Sequence, residues 1–230
     1  MGNLVVVGGS CGLGEAFVEG LHPDYDHTTV VSRTEPPFGQ TYINWIEADL
    51  RQPQLAAERI AAGCPSSVDL LIYNAGIWED RKTSFEDTSP EKLADIINVN
   101  LTAATLVVHS LWNQLKANRG GLAIFIGSIA GYDSSPDSRA AYASAKAGLR
   151  SLNATVRNMG RPVGIKSCLI APGSIASDVP LSSGVEAART AHNGKRMPVQ
   201  DLVSTVQCVA SLSDMSNVTE IIMPAAADEF

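Results

Sequence analysis

The sequence predicts an α/β fold, doubly wound around a seven-stranded parallel sheet with helices on both faces. Three observations predict it. Short β-branched runs alternate with longer amphipathic segments over nearly all of the 230 residues. The short runs are continuously apolar and do not alternate, as expected of strands buried on both faces. A glycine-rich run, Gly8-Gly9-Ser10-Cys11-Gly12-Leu13-Gly14, stands between the first such run and the first helical pattern.

The elements follow in order. Strands are expected at Leu4–Val7, Thr28–Val31, Tyr42–Ile46, Val68–Tyr73, Leu122–Ile126, Ile165–Ile170 and Val218–Ile222, each a run of strand length rich in Val, Ile, Leu or Tyr. Helices are expected at Leu13–Leu21, Leu55–Ala62, Pro90–Ala117, Arg139–Met159 and Val199–Leu212, where apolar residues recur with helical spacing. No repeat or low-complexity linker divides the chain, so residues 1–230 read as one domain. Residues 174–198 break the alternation: they are rich in Ser, Ala and Gly and contain Pro180, Gly184 and Asn193-Gly194. That stretch is too long for a simple connection and reads as a partly helical lid over a site.

Composition sets bounds. A hydrophobic content of 45% with 18% charged residues is that of a globular core. The net charge of −7 argues against nucleic acid as a partner, since phosphate backbones demand clustered Lys and Arg. Cys11, Cys64, Cys168 and Cys208 are far apart, and the histidines (22, 27, 109 and 192) show no ligand spacing, so neither a metal site nor a disulfide framework is expected. The N-terminus carries no signal-peptide pattern, and no run reaches the ~20 apolar residues of a membrane span. Reduced thiols and a cytoplasmic setting are therefore expected. The sequons beginning at Asn100, Asn153 and Asn217 carry no weight in such a protein.

Three features carry chemistry. In Tyr142-Ala-Ser-Ala-Lys146 the phenol and the ammonium lie four apart, on one face of a helix. A cation beside a phenol favours the phenolate, which lets the hydroxyl act as an acid or base near neutrality. The turn from Gly8 through Ser10, Cys11, Gly12 and Leu13 to Gly14 suits a pyrophosphate at a helix N-terminus. The second strand ends in Ser32-Arg33-Thr34 and not in an acid. A free ribose 2′-hydroxyl is usually held by Asp or Glu at this point and a 2′-phosphate by a guanidinium, so NADP is expected over NAD. Glu35 is the counter-evidence.

With Gly8-x-x-x-Gly12-x-Gly14 and Tyr142-x-x-x-Lys146, the chain resembles the short-chain dehydrogenase/reductase family, its landmarks running in order from residue 4 to about 223. The resemblance implies a Rossmann-type fold and a carbonyl/alcohol oxidoreductase. Asp49-Leu50 looks like the family's adenine-contacting pair. Asn74-Ala75-Gly76, preceded by Tyr73 where the family has a second Asn, looks like its Asn-Asn-Ala-Gly signature. Asn100 matches the helix asparagine of the catalytic set and Ser128 its serine. Pro172-Gly173, Ile175 and Ser177 look like the segment that contacts the nicotinamide. The implied roles are a carbonyl holder (Ser128), an acid/base (Tyr142), a cation that tunes the phenol and grips the ribose (Lys146), and a water-binding relay (Asn100). The chain departs from the pattern at Val7, at Cys11, where a second basic residue is common, in a Ser128–Tyr142 gap one residue longer than usual, and in a short final segment.

The substrate pocket is expected to involve Trp78, Ile129, Ala130, Tyr132, Ser174 and the lid, which suits a small or medium carbonyl or alcohol. Arg189, Lys195 and Arg196 leave an acidic substrate open, and the run from Arg196 to Leu202 with Ile221–Pro224 is similar to the hydroxy-acid dehydrogenase branch. The rivals are a non-catalytic NADP-binding regulator and an epimerase or dehydratase of the longer branch, for whose second domain the chain has no room. The helices near 90–117 and 139–159 have more apolar surface than one sheet face covers, and members of the resembled family often pair these helices, so a homodimer or homotetramer is expected.

Overall fold

The computed structural model describes residues 2–38, 43–80, 82–117, 120–132 and 139–228. Seven strands, β1 (Asn3–Val7), β2 (His27–Ser32), β3 (Ile43–Glu47), β4 (Leu70–Tyr73), β5 (Leu122–Ile126), β6 (Lys166–Pro172) and β7 (Glu220–Met223), form one sheet in the order β3-β2-β1-β4-β5-β6-β7. Every neighbouring pair is parallel. The expected strands are all present, with ends shifted by a residue or two; the expected start of the third, Tyr42, lies outside the described residues.

Helices α1 (Gly12–Leu21) and α8 (Val199–Ala210) cover one face of the sheet, while α2 (Pro53–Gly63), α4 (Ala103–Ser110) and α6 (Ala140–Gly160) cover the other. Period-2 geometry sorts each strand between the two cores. Leu4 and Val6 of β1 pack with Phe17 and Val203, whereas Val5 and Val7 pack with Ala104, Val107 and Leu149. Each such side chain taken fully from water contributes about 1.5–3 kcal/mol. α7 (Gly184–His192) makes the 174–198 segment partly helical, as expected.

The structure corrects one element. The single helix expected over Pro90–Ala117 is α3 (Pro90–Ile97), a π turn (Asn98–Thr102), α4, and a short α5 (Trp112–Lys116) set off by the non-helical Leu111. Asn100 explains the π turn physically. Its side-chain amide donates to the carbonyl of Ile96 at 2.9 Å and to that of Ile77 at 2.6 Å, so a side chain occupies the carbonyl four residues back that regular helix would use. The buried Tyr73 hydroxyl donates to Val99 O at 2.6 Å and holds the same turn from the sheet side. By length and composition Pro90–Ser110 could cross a membrane, but Ile96, Val99, Ala103, Ala104, Val107 and Val108 are buried in the fold.

Tyr73→Phe keeps the ring and removes the hydrogen bond to Val99 O, leaving a buried carbonyl without that donor. Urea unfolding is expected to show a loss of about 1–2 kcal/mol; an unchanged midpoint would show that the π turn does not depend on this hydroxyl.

Candidate active site

β1 leads to β2 and β3 on one side of the sheet, while β4 through β7 extend on the other. The β1/β4 boundary is therefore the switch point where connections diverge and a crevice opens at the carboxyl ends of the strands. A cavity of about 930 Å³ lies there.

Its floor is the glycine turn. Gly8 adopts a φ of +83°, and a side chain there would come within 2.8 Å of the Ala75 backbone. Asn74 Nδ2 donates to Gly8 O at 2.9 Å, locking the β4 loop to the turn. Gly12, with φ +58°, starts α1, and Cys11 occupies its N-cap without a side-chain cap bond. Ser10, Cys11, Gly12 and Leu13 all line the cavity, so an uncapped helix N-terminus meets it, as anion binding requires. Gly14 does not reach the wall: a Cβ there would overlap Gly8 O and the Asn74 amide, so its role is close packing.

At one end the wall is Ser32, Arg33, Asp49, Leu50 and Arg51. Ser32 Oγ donates to Thr34 O at 2.7 Å and accepts from Trp45 Nε1 at 3.1 Å. Thr34 is not part of the wall, and its hydroxyl donates to Ser10 Oγ at 3.4 Å. Arg51 grips Asp49 with Nε at 3.0 Å and Nη2 at 2.6 Å, and these hydrogen bonds hold the carboxyl below its ordinary pKa. Nothing in the sequence around Asp49-Leu50 singled out Arg51; a basic residue two positions past an acid was the available signal.

At the other end stand Ser128, Tyr142 and Lys146, with Asn74, Ala75 and Gly76 from the β4 loop and Pro172, Gly173, Ile175 and Ser177 after β6. Ser128, extended at the end of β5, accepts the Ala130 N–H at 3.2 Å. Lys146 is 4% exposed, and its Nζ donates to Ile126 O at 2.8 Å and lies 5.6 Å from the Tyr142 ring centre. Burial brings its pKa down to about 7. Asn100 stands behind the wall. With both amide protons committed, its Oδ1 is buried without a hydrogen-bond partner among the described residues. A Cβ on Gly76 would come 2.9 Å from that oxygen and 3.5 Å from Lys146 Nζ, so glycine keeps a gap open between the two. An orphaned buried acceptor is rare in folded proteins, and a polar gap of this kind suits an ordered water.

Of the expected pocket residues, Trp78, Ile129, Ala130 and Ser174 line the cavity. Tyr132 does not. Its hydroxyl donates to Glu220 and Arg150 stacks 4.4 Å over its ring, so the side chain is drawn to β7; burial and Glu220 push its pKa up. The loop expected to absorb the longer Ser128–Tyr142 gap, Tyr132–Ser138, lies outside the described residues beyond Tyr132. Arg139, unmarked in the sequence, lies 4.5 Å over the Tyr142 ring, while Trp78 meets that ring edge-on at 6.3 Å. The segment after β7 returns to the site: Asp228 accepts Ser174 N at 2.9 Å, Ser174 Oγ at 2.8 Å and Ala225 N at 2.8 Å. No local motif announces Asp228, because a contact across 54 residues leaves no periodic trace.

The crevice accommodates a dinucleotide on its own evidence: a side-chain-free turn at an uncapped helix end, a cation at one extremity, and an orphaned amide oxygen behind a glycine at the other. A doubly wound α/β domain with its crevice at the switch point is the class this build defines. The short chain dehydrogenase family model matches residues 3–184. Protein FixR of Bradyrhizobium diazoefficiens is 36% identical over 131 residues, which cover 55% of this chain and 45% of FixR, less than half of that protein's length. The 3-oxoacyl-[acyl-carrier-protein] reductase MabA of Mycobacterium bovis is 27% identical over 77% of this chain and 70% of its own. A structure of a putative 3-oxoacyl-reductase from Bacillus thuringiensis superposes with a TM-score of 0.85 at 23% identity, covering 99% of this chain and 98% of the other. The chain belongs to the short-chain dehydrogenase family.

Lys146 makes stability depend on pH with a definite sign. Its pKa falls from 10.5 to about 7 on folding, so between those values the unfolded chain binds the extra proton and stability rises with pH. The ligand-free protein is expected to gain at most ~1.4 kcal/mol per pH unit from this residue above pH 7. Thermal melts across pH 7–9 should show that gain, and Lys146→Met should flatten it; an identical pH slope in the variant would remove the buried ammonium as its cause.

Proposed function

We propose that the protein is an NADP-dependent reductase of small or medium carbonyl compounds, working reversibly on the corresponding alcohols. The observation that carries the reading is the orphaned Asn100 Oδ1 facing Lys146 Nζ across Gly76. A non-catalytic NADP-binding regulator needs the glycine turn but has no use for a buried, unpaired acceptor beside a buried amine and a phenol.

The roles follow from the chemistry of each group. The glycine turn, Arg33 and the Pro172–Ser177 segment would hold a nicotinamide dinucleotide, which would supply hydride to the carbonyl carbon. Charge then develops on the carbonyl oxygen and needs donors and a proton. Ser128 Oγ donates a hydrogen bond to that oxygen and Tyr142 hands it the phenolic proton. Lys146, its pKa brought near 7 by burial, can give and take a proton near neutrality. A water held by Asn100 Oδ1 would replace the proton through Lys146 and hydroxyl groups. In the alcohol-oxidising direction each transfer reverses.

Arg33 in the wall supports NADP over NAD, since guanidinium matches a 2′-phosphate. Arg51 occupies Asp49, the acid nearest at that end, while Glu35 does not line the cavity. A second reading, a hydroxy-acid dehydrogenase with acidic substrates, is favoured by Arg139 and Arg196 in the wall. Arg196 also lies 4.0 Å from Asp178, while Arg189, paired with Glu186, and Lys195 stand off the cavity. A homodimer or homotetramer through the 90–117 and 139–159 helices and a cytoplasmic location, with all four cysteines free, complete the proposal.

An NADPH-oxidation screen over a carbonyl panel that pairs oxo acids with their methyl esters tests the reaction class. Turnover of at least one carbonyl is expected, with a loss of about 100-fold or more in Tyr142→Phe; undiminished turnover in that variant would sink the assignment. A consistent preference for acid over ester would favour the second reading. For the cofactor, Arg33→Ala is expected to weaken NADPH by about 10-fold and NADH far less. Tighter binding of NADH than NADPH by the unaltered protein would reverse the assignment.

A further inference from the structure

We infer that Glu79 is a positioning residue for Tyr142, capping the catalytic helix from a distant part of the chain. The inference rests on Tyr142 as the proton-transfer group and adds what holds it in place.

The first turn of a helix leaves backbone N–H groups without intrahelical partners, and a Ser, Thr, Asp or Asn at the N-cap normally accepts them. At α6 that position holds Arg139, an extended residue whose side chain makes no cap bond and has no acceptor to offer. Glu79 supplies the cap instead. Its Oε1 accepts the Ala141 N–H at 2.7 Å, and its Oε2 accepts the Tyr142 N–H at 3.2 Å. The carboxylate is only 4% exposed and reaches across 62 residues of sequence.

The consequence for function lies in what else Glu79 is attached to. It ends the segment that begins at Asn74, whose side chain locks the glycine turn and whose next residues, Ala75 and Gly76, line the cavity. Ile77 O accepts from Asn100, and Trp78 packs edge-on against the Tyr142 ring. One six-residue segment thus touches the cofactor crevice, the relay asparagine, the phenol's ring and the phenol's own backbone N–H. Tyr142 is the third residue of α6, where fraying displaces a side chain most. Fixing its N–H to the crevice loop fixes the phenol's distance and angle to the reacting carbonyl, independently of the bulk stability of the helix.

The test separates positioning from simple helix stabilisation. Glu79→Gln retains the shape and one acceptor; Glu79→Ala removes the cap. Thr155→Gly, at an exposed mid-helix position of α6, weakens the same helix without touching the cap. The kcat with NADPH and a carbonyl accepted in the screen, the carbonyl KM, the NADPH Kd and the Tm are measured for all three. Glu79→Gln is expected to lower kcat by about 10–100-fold while the NADPH Kd and carbonyl KM stay within about threefold, and Thr155→Gly is expected to lower Tm without a comparable fall in kcat. The inference is overturned if Glu79→Gln keeps kcat within about twofold, if its loss lies wholly in NADPH Kd, or if kcat tracks Tm alike in all three. Should Glu79→Ala not fold, Glu79→Gln carries the same decision. A failure of Tyr142→Phe to reduce turnover would strike the catalytic assignment itself and is read separately.

Discussion

The hydrogen bond from Lys146 Nζ to Ile126 O is the constraint on which the rest of the site depends. It joins α6 to the end of β5, two residues before Ser128, and Tyr142 of that helix and Ser128 line the same cavity. A buried amine with one protein acceptor is costly when charged, and the lowered pKa expresses that cost. The fold tolerates it because the remaining donors face a polar gap, kept open by Gly76 and bounded by the unpaired oxygen of Asn100. Stability has been traded here for a group able to exchange protons near neutrality.

The same economy shapes the surroundings. The π turn exists because the Asn100 amide occupies the Ile96 and Ile77 carbonyls, and the Tyr73 hydroxyl holds the turn at Val99. The α6 N-terminus carries a cation at its N-cap position and takes its cap from Glu79. At the far end of the crevice the Arg51–Asp49 pair offsets an acid that would otherwise oppose a phosphate. At the π turn and at the α6 N-terminus, side chains distant in sequence supply the backbone hydrogen bonds that local residues do not.

The strands and most helices were legible in the sequence because a parallel sheet buried on both faces leaves continuous apolar runs, and the Gly8–Gly14 turn marks its own place between β1 and α1. Ser128, Tyr142 and Lys146, expected as a set with Asn100 from the resemblance, are brought to one end of the crevice, with Asn100 behind its wall. What was not legible depended on contacts distant in sequence. The break at Asn98–Thr102 is invisible to periodicity, since Asn100 looks like any polar residue in a long helix until Ile77 O lies beside it. Tyr132 was expected in the pocket, yet Glu220, 88 residues away, draws it out. Glu79, Arg139 and Asp228 carry no spacing signal, and Gly14 and Thr34, expected among the cofactor-binding residues, stand off the cavity wall, Gly14 in close packing and Thr34 on the Ser10 hydroxyl.

The central claim is hydride transfer to a carbonyl within this crevice, and deuterium tracing tests it most directly. NADPH carrying deuterium at the transferable nicotinamide C4 position is incubated with the protein and an accepted carbonyl, and the alcohol is analysed by mass spectrometry. One deuterium on the carbinol carbon per NADPH consumed is the expected result. An alcohol free of deuterium, or NADPH left unconsumed across the carbonyl panel, would contradict the account.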